Sequence, residues 1–302
     1  MLIEYHRNML SDKPRLAAFH AALKKVILKG KTTVADIGAG TGVLGFLASK
    51  LGAKQVFLFE QAGVMELATK LAADNKIRNL TFFYDHSTNV DPGEKVDVIV
   101  TETLGNYALE EQIIQTVEDA KRFLKPGGTV IPQRIAHFAT PVVTDRFYKE
   151  LCVWDKVGYG LDFARAKEMS LNNIFVRTFR KTDLLGAPQM WDEVDLTKKN
   201  ATTRKGKAEW TMAKEATIYG FAIWWDCELL KGIKLSTAPG APKTHWEQLY
   251  FPVLEPIKLK KGAKLGLEII ATSSYEAGTN MRWTVTANGK KQVLDLEKGF
   301  IA

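Results

Sequence analysis

The sequence has few cysteines and no long apolar run. Cys152 and Cys227 are the only two cysteines among 302 residues, which excludes a disulfide-stapled secreted fold. No apolar run is long enough to span a bilayer, and no apolar segment of the signal-peptide type stands near the N-terminus. Internal repeats and low-complexity segments are also missing, which excludes repeat arrays and disordered chains. We therefore expect a soluble, cytoplasmic protein with no membrane partner.

The charge balance is basic but dispersed. Lys and Arg number 42 against 34 Asp and Glu, a formal net charge of +8. The basic groupings are short, at residues 198–199, 204–205 and 258–261. Such groupings are typical of solvated loops and edge strands, so no nucleic-acid partner is expected beyond weak electrostatic attraction. A chain of this length with 46% apolar residues is sufficient for two domains, each with its own core.

The first 130 residues alternate between strand-like and helix-like segments. A helix is predicted to start at Asp12 and Pro14, with apolar residues at helical spacing up to Ile27. The predicted strands and helices then alternate along 33–37, 43–51, 55–59, 64–75, 80–84, 96–101 and 110–124. Right-handed connections make such strands parallel and bring their C-terminal ends to one edge of the sheet. We expect the ligand site at that edge.

A glycine-rich loop follows the first predicted strand. Gly38, Gly40 and Gly42 leave room for a ligand against the backbone, and Glu60 follows Gly38 by 22 residues, as expected of an acid that binds ribose. The dinucleotide pattern requires a third glycine where this chain has Val43. The loop therefore favours S-adenosylmethionine over NAD. A nicotinamide oxidoreductase and a structural turn without a ligand remain as alternatives.

The second half of the chain is rich in short β-like segments, at 216–225, 246–253, 264–271 and 281–287. We predict an antiparallel sheet or barrel there and place the domain boundary at residue 132, giving domains of 1–132 and 133–302. The mixed stretch 158–200 is long for a loop within a β domain. It is interpreted as an insertion, such as an arm that contacts a partner.

Carboxylates cluster after the fourth predicted strand. Glu102, Glu110 and Glu111 flank a glycine that permits a tight bend. Such a pair of acids can serve in acid–base catalysis, bind a metal or hold a cation. The loop contains no further metal ligand, so no metal is expected, whereas Glu110 and Glu111 can alternatively stabilise a helix N-terminus. The planar guanidinium of arginine matches two carboxylates, which would leave lone-pair density on the nitrogen that faces a sulfonium methyl.

Three separated segments resemble the protein arginine methyltransferase family. The first is 6–15, His-Arg-Asn-Met-Leu-Ser-Asp-Lys-Pro-Arg, which is similar to the family's helix before the cofactor domain. The second is the acid loop, 102–111, whose terminal glutamates are nine residues apart as in the family's double-glutamate loop. The third is 244–246, Thr-His-Trp, which resembles the loop that closes the family's substrate pocket. The resemblance covers nearly the whole chain.

The resemblance implies a Rossmann-like class I methyltransferase domain, a β-barrel domain and a dimerisation arm at about 158–200. It also implies a homodimer that methylates arginine in a protein or peptide. The expected catalytic residues are Glu102, Glu111, His245 and Asp12, with Asp12 holding His245. A charged His245 that relays or accepts a proton and a purely structural clamp both remain open. The expected cofactor-binding residues are His6, Met9, Arg15, Asp36, Gly38, Gly40, Thr41, Glu60, Gln61 and Ser87, with Arg15 on the cofactor carboxylate.

The chain departs from the family on the substrate side. Thr103 and Asn106 replace an aromatic and a tyrosine, and the N-terminal aromatic cluster is reduced to Tyr5. Near Ser87 and Thr88, a hydroxyl or backbone contact replaces the usual acid that meets adenine. These departures leave two alternatives open: a methyltransferase for a small amine, guanidine or other nucleophile, and a silent binding partner with the same fold.

Overall fold

The structure is a computed structural model that describes residues 3–299. Its N-terminal half contains a five-stranded parallel sheet in the order β3-β2-β1-β4-β5. The strands are β1 (Thr33–Ile37), β2 (Gln55–Phe59), β3 (Leu80–Phe83), β4 (Val96–Thr101) and β5 (Leu124–Ile131). The helices are α1 (Ile3–Ser11), α2 (Lys13–Val26), α3 (Val43–Lys50), α4 (Val64–Asp74) and α5 (Ile113–Ala120).

The second half contains two antiparallel sheets. In the six-stranded sheet the order is β7-β12-β10-β6-β8, with β11 beside β10, and in the four-stranded sheet it is β15-β14-β13-β9. The first elements are β6 (Arg134–Val142), α6 (Arg146–Leu151), α7 (Ala164–Leu171), β7 (Phe175–Arg177), β8 (Gln189–Asp195) and β9 (Thr203–Thr211). The remaining strands are β10 (Ala216–Leu230), β11 (Ile233–Ser236), β12 (Gln248–Leu259), β13 (Lys264–Ser274), β14 (Gly278–Ala287) and β15 (Lys290–Asp295).

Aromatic side chains fill the space between the two antiparallel sheets. Trp210 of β9 packs against Phe221 of β10 with ring centroids 5.6 Å apart, and Phe251 of β12 meets Trp283 of β14 at 4.9 Å. One continuous cluster of buried side chains extends from this space to the parallel sheet and α2. Because the core is shared, the two halves hold the groups between them in fixed positions.

The predicted fold class is confirmed, with two facing antiparallel sheets where a barrel was expected. The chain differs from the prediction in three places. Strand β5 was missed, because Pro126, Gly127 and Gly128 interrupt its apolar pattern and the register shifts where it pairs with β4. Helix α5 begins at Ile113 instead of residue 110, since the residues before it form the bend of the acid loop. The helix implied over 6–15 is divided into α1 and α2, because Asp12 caps the start of α2.

The insertion predicted at 158–200 is more limited than expected. Its helical part runs from α6 to α7, and therefore begins before residue 158. Strands β7 and β8 lie within the predicted insertion but pair with β12 and β6. The segment that stands outside the sheets is therefore 146–171. Within residues 3–299, the structure has no helix that is both long and apolar enough to cross a membrane.

Candidate active site

A cleft of about 1490 Å³ lies at the C-terminal edge of the parallel sheet. Its walls come from the ends of β1, β2 and β4, from α1 and α2, and from two loops of the antiparallel half. It is lined by all the predicted catalytic residues and nearly all the predicted cofactor residues: His6, Met9, Asp12, Arg15, Gly38, Gly40, Thr41, Glu60, Gln61, Ser87, Glu102, Glu111 and His245. The one exception is Asp36.

The glycine-rich loop forms the floor of this cleft. Gly38 and Gly40 have φ values of +71° and +56°, which residues with a Cβ rarely adopt. A Cβ on Gly40 would lie 3.2 Å from Cε1 of His6, and one on Gly38 would lie 3.1 Å from Cγ2 of Thr103. The loop therefore lies directly against His6 and Thr103. Glycine is required at 38 and 40 because φ is positive there and because a Cβ would be too close to these side chains.

Asp36 supports the loop from below. It is buried at the end of β1, where Oδ2 accepts a hydrogen bond from Gly45 N at 2.7 Å. Burial raises the pKa of Asp36 to about 7. Asp36 was predicted to bind the cofactor, but it does not line the cleft; we correct its place in the site, because its carboxylate lies behind the loop and fixes it to the start of α3.

Glu60 lies at the end of β2 with both carboxylate oxygens facing backbone amides. Oε2 accepts from Gly40 N at 3.0 Å, and Oε1 accepts from Ala62 N at 2.8 Å. These bonds fix the carboxylate between the glycine-rich loop and the start of α4. Each carboxylate oxygen still has a lone pair for a further donor, so the group can accept bonds from two ribose hydroxyls.

The N-terminal helices bring Arg15 over the cleft. Asp12 caps α2, because its Oδ1 accepts from Arg15 N at 2.9 Å and Pro14 stands in the first turn. Arg15 Nη1 donates to Met9 O at 3.2 Å, and Nη2 donates to Oε2 of Glu102. Both members of this ion pair are buried. A cation and an anion thus lie together at the base of the cleft.

Three side-chain nitrogen or oxygen atoms that line the cleft are buried without a hydrogen-bond partner among the residues the structure describes. They are Nε2 of His6, Nε of Arg15 and Oγ of Ser87. Buried polar atoms are normally paired, so such atoms in a cleft indicate a polar ligand. The arrangement fits S-adenosylmethionine: a guanidinium for its carboxylate, Glu60 for its ribose and a hydroxyl for its base.

The acid loop, residues 102–111, is held by side chains of the antiparallel half. Trp246 Nε1 donates to Leu104 O at 2.7 Å, and Trp225 Nε1 donates to Gly105 O at 3.1 Å. Asn106 Oδ1 accepts from Glu247 N at 2.9 Å. Ser273 and Thr279 bind the carbonyl oxygens of Leu109 and Glu110 through their hydroxyls. The loop is thus fixed at both ends by residues more than 100 positions away in sequence.

Glu111 and Glu102 are electrostatically coupled within this cleft. Glu111 remains accessible to solvent in the open cleft, yet partial desolvation by the cleft walls raises its pKa to about 7, and the neighbouring charges of Glu102, Glu110 and Glu60 add to the rise. Burial also raises the pKa of Glu102, while Arg15 opposes this. The carboxyl of Glu111 has no hydrogen-bond or ion-pair partner within residues 3–299. An unpaired acid with neighbouring acids favours binding of a cation.

The predicted contact between His245 and Asp12 is present. His245 Nδ1 and N both lie 2.8 Å from Oδ2 of Asp12. Because a carboxylate only accepts, Nδ1 carries a proton and Nε2 has a free lone pair. Burial lowers the pKa of His245, although Asp12 opposes this. Of the two alternatives left open, this favours a ring that is neutral near neutral pH over one that is already charged.

Sequence reasoning missed several of the residues that hold the acid loop. Trp225 lies in a continuous buried run of the long strand β10, and Ser273 lies in β13, where buried and partly buried residues alternate. Nothing local in the sequence marks either of them as an active-site residue. Tyr275 and His86 also line the cleft and were not predicted.

Comparison with family models gives two matches. Residues 134–286 match a model described as the arginine methyltransferase oligomerization subdomain. Residues 20–155 match one described as ribosomal protein L11 methyltransferase (PrmA). Together they cover both halves of the chain.

Curated proteins and solved structures agree with these models. The chain is 29% identical to protein arginine N-methyltransferase 1 of Dictyostelium discoideum, over 85% of this chain and 78% of the relative. It is 28% identical to protein arginine N-methyltransferase 6 of Xenopus tropicalis, over 90% and 84%. Among structures, the Trypanosoma brucei PRMT1 enzyme-prozyme heterotetrameric complex with AdoHcy matches with a TM-score of 0.89 and 21% identity, over 98% of each chain. Arabidopsis thaliana protein arginine methyltransferase 10 matches with a TM-score of 0.83 and 21% identity, over 98% of each chain.

Proposed function

This chain belongs to the protein arginine methyltransferase family, and we propose that it transfers a methyl group from S-adenosylmethionine to a guanidino nitrogen of arginine in a protein or peptide. The single observation that carries this proposal is the pair formed by Glu102 and Glu111. Both acids line the same cleft as Arg15 and Glu60, the residues that fit the carboxylate and the ribose of the cofactor. The carboxylate of Glu111 has no cationic partner within residues 3–299.

Glu102 and Glu111 hold and polarise the guanidinium. Its planar fork donates to two acids at once, and the ionised carboxylates draw positive charge onto the nitrogens that they bind. The remaining nitrogen keeps lone-pair density and is directed at the methyl group. This is catalysis by positioning and electrostatics, for which rigid fixation of the acid loop by Trp246 and Trp225 is required.

Arg15 and Glu60 bind the two polar ends of the cofactor. S-adenosylmethionine supplies an activated methyl group on a sulfonium sulfur. Arg15 binds its carboxylate while keeping its bond to Glu102, so cofactor and acceptor sites share one charge network. Glu60 accepts from the ribose hydroxyls, and Gly38 and Gly40 allow the ligand to lie directly on the loop.

His245 connects the two halves of the chain through its contact with Asp12, and it is also placed to act as a proton acceptor. Its neutral ring, with Nδ1–H held by Asp12, leaves Nε2 able to accept the proton that the guanidino nitrogen releases after transfer. A His245→Gln variant tests this. If His245 accepts the proton, methyl transfer falls while cofactor binding and the melting temperature stay close to wild type. If it is only a clamp, all three change together.

Labelled methyl transfer tests the proposed function. Wild-type protein is incubated with methyl-labelled S-adenosylmethionine and a basic, arginine-rich protein, and the product is hydrolysed for amino-acid analysis. We expect labelled methylarginine, and a Glu111→Gln variant that binds S-adenosylhomocysteine normally but does not transfer the methyl group. Label on small guanidines or amines but on no peptide would instead identify a small-molecule methyltransferase. Cofactor binding without transfer to any acceptor would indicate a silent partner.

We also propose that the protein is a homodimer and that the domain boundary lies after residue 132. The segment 146–171 exposes several large apolar side chains: Val153, Tyr159, Leu161 and Met169. An exposed apolar patch on a projecting segment is typical of an interaction surface, which supports a role as dimerisation arm. The cysteines Cys152 and Cys227 are unpaired, which supports the proposed cytoplasmic location.

A further inference from the structure

Glu111 is held in place by the backbone around it. Its carboxyl has no partner within residues 3–299, whereas that of Glu102 is bound in an ion pair. Glu110 N donates to Tyr107 O at 2.8 Å, so a turn that begins at Tyr107 carries the chain to Glu111. Gln112, the next residue, has a φ of +55°, a conformation that persists only where the surrounding structure fixes the chain. The position of Tyr107 therefore determines where the Glu111 carboxyl points.

The ring of Tyr107 is turned away from the cleft and into the antiparallel half. Tyr107 is 2% exposed and does not line the cleft. Its ring centroid lies 5.0 Å from that of His137 on β6 and 6.4 Å from that of Trp191 on β8, and the latter two are 5.3 Å apart. We call these three side chains the ring cluster. Through it, a side chain within the acid loop is packed directly into the core of the antiparallel half.

Strand pairing places His137 behind the acid loop. His137 lies directly opposite Trp225 of β10, and the side chains of such a pair extend from the same face of a sheet. Trp225 Nε1 donates to Gly105 O, so this face is the one that the acid loop covers.

A β-bulge places Trp191 beside His137. Pairing between β6 and β8 skips Trp191, since its two neighbours in β8 pair with consecutive residues of β6. Strand β9 crosses the bulge at Gly206, where a Cβ would overlap the carbonyl oxygen of Trp191. A bulge of this kind redirects a side chain, and bulges are common beside active sites.

The ring cluster contains more unpaired polar atoms than stability alone explains. The Tyr107 hydroxyl, both ring nitrogens of His137 and Nε1 of Trp191 are buried without a hydrogen-bond partner among residues 3–299. His137 Nδ1 lies 3.6 Å from the carboxylate of Asp192, which is held in turn by Arg204. Unpaired buried groups destabilise a fold relative to apolar side chains of the same shape. Their concentration behind the acid loop indicates a role in the site.

We propose that the ring cluster is a positioning element for methyl transfer: His137 and Trp191 hold Tyr107, and Tyr107 sets the turn that directs the Glu111 carboxyl at the guanidinium. This inference rests on the proposed function, since it requires an arginine guanidinium beside Glu111. The three rings do not line the cleft, so they act on the substrate only through the acid loop.

Calorimetry on the full-length protein tests the proposal, first with S-adenosylhomocysteine and then with an arginine peptide on that complex. Tyr107→Leu should weaken peptide binding at least about tenfold, because small displacements of a positioned group have effects of this size. Binding of S-adenosylhomocysteine should stay within about twofold, since Arg15 and Glu60 lie outside the turn. Tyr107→Phe keeps the ring, so it should restore peptide affinity to within about threefold of wild type and melt no lower.

Phe251→Leu is the matched control. It also replaces a buried ring of the antiparallel half by leucine, but Phe251 packs against Trp283 and does not line the cleft. Its melting temperature should fall while its peptide affinity stays within about twofold of wild type.

His137→Leu tests whether the cluster acts through Tyr107. It should weaken peptide binding as Tyr107→Leu does, and the double variant should bind no more weakly than Tyr107→Leu, because both changes affect the same turn. In both single variants the midpoint of the pH dependence of peptide binding should move to lower pH. A displaced Glu111 loses part of the desolvation and of the charge from Glu102, Glu110 and Glu60 that raise its pKa.

The variants separate the possible outcomes. Peptide binding within about twofold of wild type in Tyr107→Leu and His137→Leu would overturn the proposal. An equal loss of peptide and S-adenosylhomocysteine binding, or a comparable loss of peptide binding in Phe251→Leu, would also overturn it. If one of the two leucine variants does not fold, the other is compared with Phe251→Leu in the same way. Wild-type protein that binds S-adenosylhomocysteine but no arginine peptide would instead overturn the proposed function, and the role of the ring cluster with it.

Discussion

The raised pKa of Glu111 predicts that substrate binding weakens in mild acid. A carboxyl with a pKa of about 7 is half ionised at pH 7, and only about a tenth of it is ionised at pH 6. Since only the ionised form holds a guanidinium, we expect an arginine peptide to bind about fivefold more weakly at pH 6 than at pH 7. Between pH 8 and pH 7 the loss should be only about twofold. Affinity thus rises with pH and levels off above neutrality.

Calorimetry on the complex with S-adenosylhomocysteine measures this effect without the positive sulfonium, which would itself lower the pKa of a nearby carboxyl. Glu111→Gln should bind the peptide weakly at every pH and show no slope. Glu110→Gln is the matched control: it should keep the slope, with a lower midpoint, because the charge of Glu110 contributes to the raised pKa of Glu111. A wild-type affinity that is constant between pH 6 and pH 8, or a slope that persists in Glu111→Gln, would refute the reasoning.

Four further predictions concern stability, the glycine-rich loop and assembly. Ionisation of buried Asp36 destabilises the fold above its unfolded pKa, so the unfolding free energy in urea should fall from pH 5.5 to pH 8 by about 2 kcal/mol more in wild type than in Asp36→Asn; an equal fall in the two proteins would contradict this. Asp12→Asn should lower that free energy by about 2 kcal/mol at pH 7.5, because a buried carboxylate caps α2 and binds His245; an unchanged urea midpoint would exclude this role. Gly40→Ala should weaken S-adenosylhomocysteine binding at least about tenfold in calorimetry, since its φ is +56° and its Cβ would press on His6; wild-type affinity would show that the loop tolerates the change. Leu161→Arg should give monomers in light scattering while the wild type gives dimers; an unchanged dimer would exclude this part of 146–171 from the interface.

The parallel half of the fold could be predicted because its signals are local. Strand β1 ends in glycines, and β2 and β4 are short apolar runs bounded by turns, so their ends were placed from neighbouring residues alone. The bounds of β5 could not be placed in this way. Its Pro and Gly residues are unfavourable in a strand, and only its pairing with β4 shows that it is one.

The candidate site was predicted where one segment carries the chemistry, and missed where the site depends on long-range contacts. The acid loop is visible in sequence because its acids follow a buried strand. Trp225, which helps to fix the loop, is not visible in this way, because it contacts the loop across more than 100 residues. The protonation state of His245 could not be decided from the sequence for a related reason. Its burial, which lowers the pKa, comes from the packing of both halves around it, and a sequence motif does not contain that information.

The most direct test is a crystal structure of the protein with S-adenosylhomocysteine and an arginine-containing peptide. We expect the arginine guanidinium within hydrogen-bonding distance of both Glu102 and Glu111, with one nitrogen facing the cofactor sulfur. A guanidinium bound elsewhere, or a Glu111 carboxylate turned to solvent while the peptide occupies the cleft, would contradict the proposed role of the two acids.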